Sequence, residues 1–373
     1  MTDSQEIKKS RITSIDALRA VTLLGIIMVH SFDGFGRGVL SPFSAIDEAL
    51  TWFVQSFLVS KSNTIFSMLF GVSFYLILRN PKNSSTKFFW RCFLLMLIGI
   101  VNKVFFTYDA LMWYGIYGMM LVPVRYMKPK YIFMLFCLLF MMTVALQRFK
   151  LGNVFFGMAE GNRYSGDGNF MDVLTYPYAV QDYARGMFNH GVFAPFALFV
   201  LGYWLAIKGY IEKLEQVVTG KVVLVCWIIY LVSFAFPDTG VLKHLFRRIN
   251  IYAASFAYAT SVIYLYYHSS RVQSVLRLLE PYGKMGLTNY SMQGIIGVCI
   301  IWQFTTGVWP YSLWGVLLIM LGVYVLQAVF SYAWLQYFRY GPMEYLWRAA
   351  TERKMIALKL EPRNLKLKEW QNR

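Results

Sequence analysis

Ten runs of about twenty mostly apolar residues, joined by polar connections, follow one another along this 373-residue chain. No other feature limits its fold so strongly. A helix of about 20 residues spans the ~30 Å of a hydrocarbon core and satisfies its own backbone hydrogen bonds there. The runs lie near 15–33, 61–79, 88–106, 109–126, 130–147, 190–208, 221–237, 249–268, 285–304 and 312–336. The expected fold is all-α, a polytopic membrane bundle of about 10 transmembrane helices. It forms one domain over 1–340, followed by a basic tail, 341–373. Only 15% of the residues are charged, below the ~25% of soluble domains. Residues 45–60, opening "AIDEALTWFV", are amphipathic and are expected along the outer interface ahead of the second run. The connections are short except for 148–189, long enough to be functional.

A net charge of +17 raises nucleic acid as a partner, but the distribution of the charge points to topology. With the N-terminus inside, 25 of the 36 Lys and Arg fall in inner segments or the tail, and 10 in outer segments. Arg19 is left within the first run. The positive-inside rule then places both termini in the cytoplasm and 148–189 outside, and no nucleic acid is needed. The tail, "ERKMIALKLEPRNLKLKEWQNR", mixes basic and apolar residues and is expected on anionic membrane lipids. No small-residue cleavage site follows the first run, so that run is expected to remain as a span. The four cysteines sit inside apolar runs without metal-ligand spacing, and no metal is expected.

The first run, "DALRAVTLLGIIMVH", carries two residues that lipid disfavours, Arg19 and His30. Thr13 and Asp16 precede them as a Thr-x-x-Asp start that can cap the helix. Eleven residues bring Arg19 and His30 onto one face with roughly 20° of drift, about 16 Å apart in height. A histidine titrating near neutrality takes protons from hydroxyls or amines. An arginine suits phosphate or carboxylate. Together they fit acyl transfer, with a thioester held from the cytoplasmic side and an acceptor deprotonated at the outer side.

The Arg19-to-His30 spacing resembles the integral-membrane acyltransferases that modify cell-surface glycans, in which the histidine is taken as catalytic. The chain as a whole resembles the YeiB-like bacterial membrane proteins of unknown function. The matching stretches are "RITSIDALRAVTLLGI" (11–26), "FSMLFGVSF" (66–74), "YDALMWYGIYG" (108–118), "GKMGLTNYSMQ" (283–293) and "FRYGPMEYLWR" (338–348). This resemblance implies a multi-pass protein of the bacterial cytoplasmic (inner) membrane.

Further polar residues join the candidates. Asn289 and Gln293 are four apart on the ninth run and share a face. They either bond neighbouring helices or orient His30 or a substrate carbonyl. Arg247 and Arg248 precede the eighth run, and Arg185 and His190 close the long loop. These outer groups suit an anionic glycan or lipid-linked phosphate, or lipid headgroups. Glu344 and Arg348 are four apart and expected to pair. The chain has no nucleotide-binding phosphate loop, no His-Glu-x-x-His and no Gly-x-Ser-x-Gly. The expected activity is O- or N-acyl transfer from cytoplasmic acetyl-CoA or another acyl-CoA to an outer-facing glycan or lipid. His30 is the base, and Arg19, Arg185, His190, Arg247, Arg248, Asn289 and Gln293 bind substrates. The alternative is a transporter or flippase of a small anion or lipid-linked metabolite.

Overall fold

The computed structural model describes residues 12–33, 44–79, 83–106, 109–150, 192–236, 239–240, 242–305 and 312–360. Thirteen α-helices of eleven residues or more account for most of them. They are α1 Thr13–Asp33, α2 Ala45–Phe57, α3 Lys61–Leu78, α4 Ser85–Phe105, α5 Leu111–Leu121, α6 Pro129–Phe149 and α7 Phe193–Ile207. There follow α8 Gly220–Ser233, α9 Lys243–His268, α10 Ser270–Lys284, α11 Gly286–Thr305, α12 Leu313–Tyr337 and α13 Pro342–Glu352. An antiparallel bridge joins Phe338 to Lys359.

Each of the ten apolar runs coincides with a helix. Among the described residues, five segments are long and apolar enough to cross a membrane: Thr13–Phe32, Ala45–Leu78, Ser85–Lys103, Pro129–Phe149 and Leu313–Tyr337. Phe193–Ile207 makes a sixth with its continuation Ile211–Val217, bent by 63°. The other four runs fall short for physical reasons. α5 has eleven residues and reaches only about 17 Å, and α8 has fourteen. α9 opens on Lys243, Arg247 and Arg248 and buries small residues such as Ala254, Ser255 and Ala257. α11 buries Thr288, Asn289, Ser291 and Gln293 in its first half.

α1 lies at the centre, packed on α3, α9, α10 and α12. Glycines bring the backbones together. A Cβ at Gly71 would lie 2.0 Å from the Phe199 carbonyl oxygen, and one at Gly202 2.0 Å from that of Met68, so α3 and α7 fit through reciprocal glycines. A Cβ at Gly283 would lie 1.8 Å from the Asp16 carbonyl oxygen, where α10 crosses α1. Large apolar side chains on α8 (Leu224, Ile228, Leu231) and α12 (Leu318, Leu326, Val329) remain exposed. Each forgoes about 1.5–3 kcal/mol in water relative to burial, so this belt fits lipid.

Local chemistry sets several helix starts. Thr13 begins α1 rather than capping it, and its hydroxyl meets the Tyr266 hydroxyl at 2.8 Å. Ser44 and Asp47 form a capping box on α2, and the second Asp47 oxygen accepts the Trp314 amide of α12 at 2.9 Å. α2 exposes Ile46, Trp52 and Phe53. Two amphipathic helices were not expected as packed elements. α10 fills the connection before the ninth run, and α13, at the start of the basic tail, packs onto α4 and α11.

Candidate functional site

Arg19 is fixed on α1 by two neighbours. Its Nη1 donates to Asp16 Oδ1 at 2.7 Å and its Nη2 to Ser73 Oγ at 2.6 Å. Asp16 is buried, so the pair stands in the helix interface rather than snorkelling to a surface. Arg19 lines a cavity of about 430 Å³ between α1, α3, α4, α5, α11 and α13. Along α3 the cavity runs from Phe66 to Arg79, about 20 Å at 1.5 Å per residue.

The two ends of the cavity differ in chemistry. At the end formed by the C-termini of α3, α10 and α12 lie Arg79, Lys284, Arg339 and Arg348, with Arg91 nearly two turns inside α4. Six cations, Arg19 included, line the cavity against two carboxylates, Asp16 and Glu344. Arg79 pairs with Glu212. The Arg91 guanidinium lies 4.2 Å from the centre of the Trp347 ring, and that of Arg348 4.5 Å from the Tyr340 ring. The far end is aromatic. Phe66 stacks between Tyr114 and Tyr290, with ring centroids 5.7 and 6.3 Å away. The Tyr290 hydroxyl accepts the Ala110 amide at 3.1 Å, which pins the ring as an end wall.

The expected Glu344–Arg348 pair does not form. Glu344 accepts instead from the Leu287 and Thr288 amides and the Thr288 hydroxyl, capping the N-terminus of α11. A helix start offers unsatisfied N–H groups and a positive dipole end, a better partner than a cation at the cavity rim. Burial pushes the Glu344 carboxyl above the usual carboxylate range, against the opposing pull of these hydrogen bonds. Arg348 donates to the Tyr340 hydroxyl at 3.3 Å.

His30 leaves the same side of α1 as Arg19 but enters a different space. It lines a void of about 10 Å³ with Ile27, Phe106, Tyr290, Gln293 and Gly294. That is room for about one water. The ring meets Phe106 edge-on at 4.8 Å. Tyr290 belongs to both linings and stands between the two spaces, which are distinct.

The remaining candidates scatter. Asn289 Nδ2 donates to the Tyr282 carbonyl and the Ser331 hydroxyl, both at 2.9 Å, and ties α11 to α10 and α12. Gln293 Nε2 donates to the Tyr282 hydroxyl at 2.5 Å, while its Oε1 is buried without a partner beside His30. Arg247 and Arg248 open α9 at the opposite end of the bundle, where Arg248 Nε donates to Gln147 Oε1 at 3.1 Å. Arg185 and His190 lie outside the described residues. Sequence reasoning missed Arg79, Arg91, Lys284, Arg339 and Arg348 as one group. They come from five segments and read singly as topology markers or tail charge. No group of three or more His, Cys, Asp or Glu fit to hold a metal occurs among the described residues.

Comparisons with known proteins agree on kinship and give no activity. Residues 197–354, which carry Tyr290 and the α13 side of the cavity, match a family described as protein of unknown function, DUF418. The uncharacterized protein YxaH of Bacillus subtilis (strain 168) is 28% identical, over 91% of this chain and 94% of its own. An uncharacterized 39.9 kDa protein in the amylase 3' region of Bacillus acidopullulyticus is 26% identical, over 94% and 96%. The uncharacterized protein YeiB of Escherichia coli (strain K12) is 26% identical, over 92% and 97%.

Proposed function

Starting from a chain that belongs with the YeiB-like proteins of unknown function, we propose that it is a bacterial inner-membrane acyltransferase with ten spans and cytoplasmic termini. The cavity mouth then faces the cytoplasm, and Arg247 and Arg248 face outward. One observation supports this reading above the others: the 430 Å³ cavity is cationic at its mouth and aromatic in its depth. Such a site matches an acyl-CoA, whose phosphates sit at one end and whose acyl thioester sits at the other. The volume falls in the range of small-molecule sites, roughly 300–1,000 Å³.

In this reading the acyl arm enters past Arg19 toward Tyr290. The Tyr290 ring swings out, and the thioester carbonyl meets an acceptor on the His30 side. His30 takes the proton of the acceptor hydroxyl or amine. The freed oxygen or nitrogen attacks the carbonyl, the C–S bond breaks, and the leaving thiolate recovers the proton. The acceptor is an outer-facing glycan or lipid, and Arg185, His190, Arg247 and Arg248 are its anionic contacts.

The closed Tyr290 wall favours a second reading. A cavity accessible from one end and shut at the other is one state of an alternating-access carrier for an anion or lipid-linked metabolite. The two readings part on one experiment. Purified protein is incubated with acetyl-CoA and longer acyl-CoAs, and thioester consumption is followed for wild type, His30→Asn and Arg19→Ala. Acyl transfer expects consumption that His30→Asn abolishes with the fold intact. Consumption unchanged in His30→Asn sinks the mechanism, and anion counterflow in vesicles would then support the carrier.

A further inference from the structure

We propose that Arg91 and Arg348 form a clamp for a phosphate group at the cavity mouth. The claim names a ligand subsite of the cavity used above and stands whether or not acyl transfer occurs there. Four observations carry it. First, Arg91 Nε is buried and has no hydrogen-bond partner. Buried guanidinium N–H groups are ordinarily satisfied, and a missing partner at a cavity wall points to a ligand. Second, each guanidinium lies over an aromatic ring, Arg91 on Trp347 at 4.2 Å and Arg348 on Tyr340 at 4.5 Å. Stacking occupies the faces, and beyond the Arg348 Nη1 bond to the Tyr340 hydroxyl the other N–H groups along the edges can meet an acceptor. Third, both arginines line the same end of one cavity, and Trp347, on which Arg91 stacks, is the chain neighbour of Arg348, so an anion held there gains from both. Fourth, the neighbouring carboxylates are engaged elsewhere. Glu352 pairs with Lys87 at 2.6 Å, Asp16 with Arg19 at 2.7 Å, and Glu344 caps α11.

The chemistry selects phosphate over carboxylate. Two forks approaching one anion ask for at least three acceptor oxygens and a charge near −2, which a phosphate ester supplies and a carboxylate does not. Below the clamp the lining turns apolar and aromatic, so the ligand class is a phosphate-bearing amphiphile. Two sources share that chemistry, a soluble phosphate ester and a phospholipid headgroup.

The test measures calorimetric binding to the full-length protein in phosphatidylcholine nanodiscs. The probes are inorganic pyrophosphate, dihexanoyl phosphatidic acid and hexanoate. Wild type is expected to bind at least one phosphate probe and to bind hexanoate at least about tenfold more weakly. Arg91→Gln should weaken phosphate binding by about tenfold or more. Arg348→Lys, on the peripheral α13, keeps charge and fold but loses the fork and should weaken it severalfold. Arg271→Gln, exposed and outside the cavity, should leave it unchanged. Binding of pyrophosphate alone identifies a soluble ester, and binding of phosphatidic acid alone identifies a headgroup. The clamp is overturned if neither phosphate binds, if hexanoate binds equally well, or if binding survives both Arg91→Gln and Arg348→Lys. Phosphate binding without thioester consumption would sink acyl transfer and leave the clamp. Consumption with no effect of either arginine would do the reverse.

Discussion

Arg19 and His30 leave one face of one helix, eleven residues apart, and meet opposite surroundings. Arg19 opens onto about 430 Å³ of cation-rimmed space, and His30 onto about 10 Å³ lined in part by the rings of Phe106 and Tyr290. Nothing within α1 makes that difference. Tyr290, on α11, supplies the wall, and the Ala110 amide ahead of α5 holds it there. Helical periodicity fixes the direction in which a side chain leaves. What it meets is decided by residues hundreds of positions away.

The largest effect is expected where the Arg19 side depends on backbone contact. Gly283 sits where a Cβ would lie 1.8 Å from the Asp16 carbonyl oxygen. Gly283→Val adds three carbons against backbone that has no flexible side chain to yield. α10 must then leave α1, and the Asp16–Arg19 pair loses its packing. Loss of folded, monodisperse protein on size-exclusion chromatography is expected. A well-folded Gly283→Val would show that the close crossing is not required.

Tyr290→Ala attacks the wall itself. Removing a buried aromatic side chain costs about 3–5 kcal/mol through lost burial and a residual cavity. It also joins the two voids. His30 should become reactive to diethylpyrocarbonate added from the cavity side, where wild type is protected. If wild type and variant react at equal rates, His30 is already reachable and the comparison between the two spaces collapses.

These two residues also mark how far the sequence could be read. The ten apolar runs announce ten helices because each is largely apolar and set off by charged, polar or Gly/Pro-containing connections. α10 stayed hidden because its fifteen residues are polar on one face and hold Pro281, so they resemble a connection. The shared direction of Arg19 and His30 followed from helical spacing. The separation by Tyr290 did not, since "TNYSMQ" gives no sign of which aromatic faces α1. The cationic mouth was legible only as charge bias, because Arg79, Arg91, Lys284, Arg339 and Arg348 gather through tertiary packing.

A smaller effect tests whether Arg19 is held by its ion pair. Arg19→Ala leaves Asp16 buried without its cation, at about 2–3 kcal/mol after allowing for the partial exposure of Arg19. Arg19→Ala with Asp16→Asn removes both charges and should recover at least half of that loss in thermal unfolding. If the double variant is no better than the single one, the pair is not what fixes Arg19, and the Ser73 contact carries the position.

The smallest effect belongs to Glu344, the one cavity carboxylate outside the spans. Burial raises its carboxyl in the folded protein, so the native state holds this proton to higher pH than the unfolded chain does. The stability it contributes is full below the unfolded carboxylate value. It declines as pH rises through the raised native value and is flat beyond. Glu344→Gln keeps an acceptor for the Leu287 and Thr288 amides and cannot titrate, so that slope should vanish while the cap survives. Unfolding midpoints of wild type and variant across mildly acidic pH measure the difference. Parallel curves would mean that the α11 cap, rather than the buried charge, is all that Glu344 contributes at the cavity edge. No carboxylate lines the void beside His30, so His30→Asn leaves Glu344 in place and should keep the Glu344 slope.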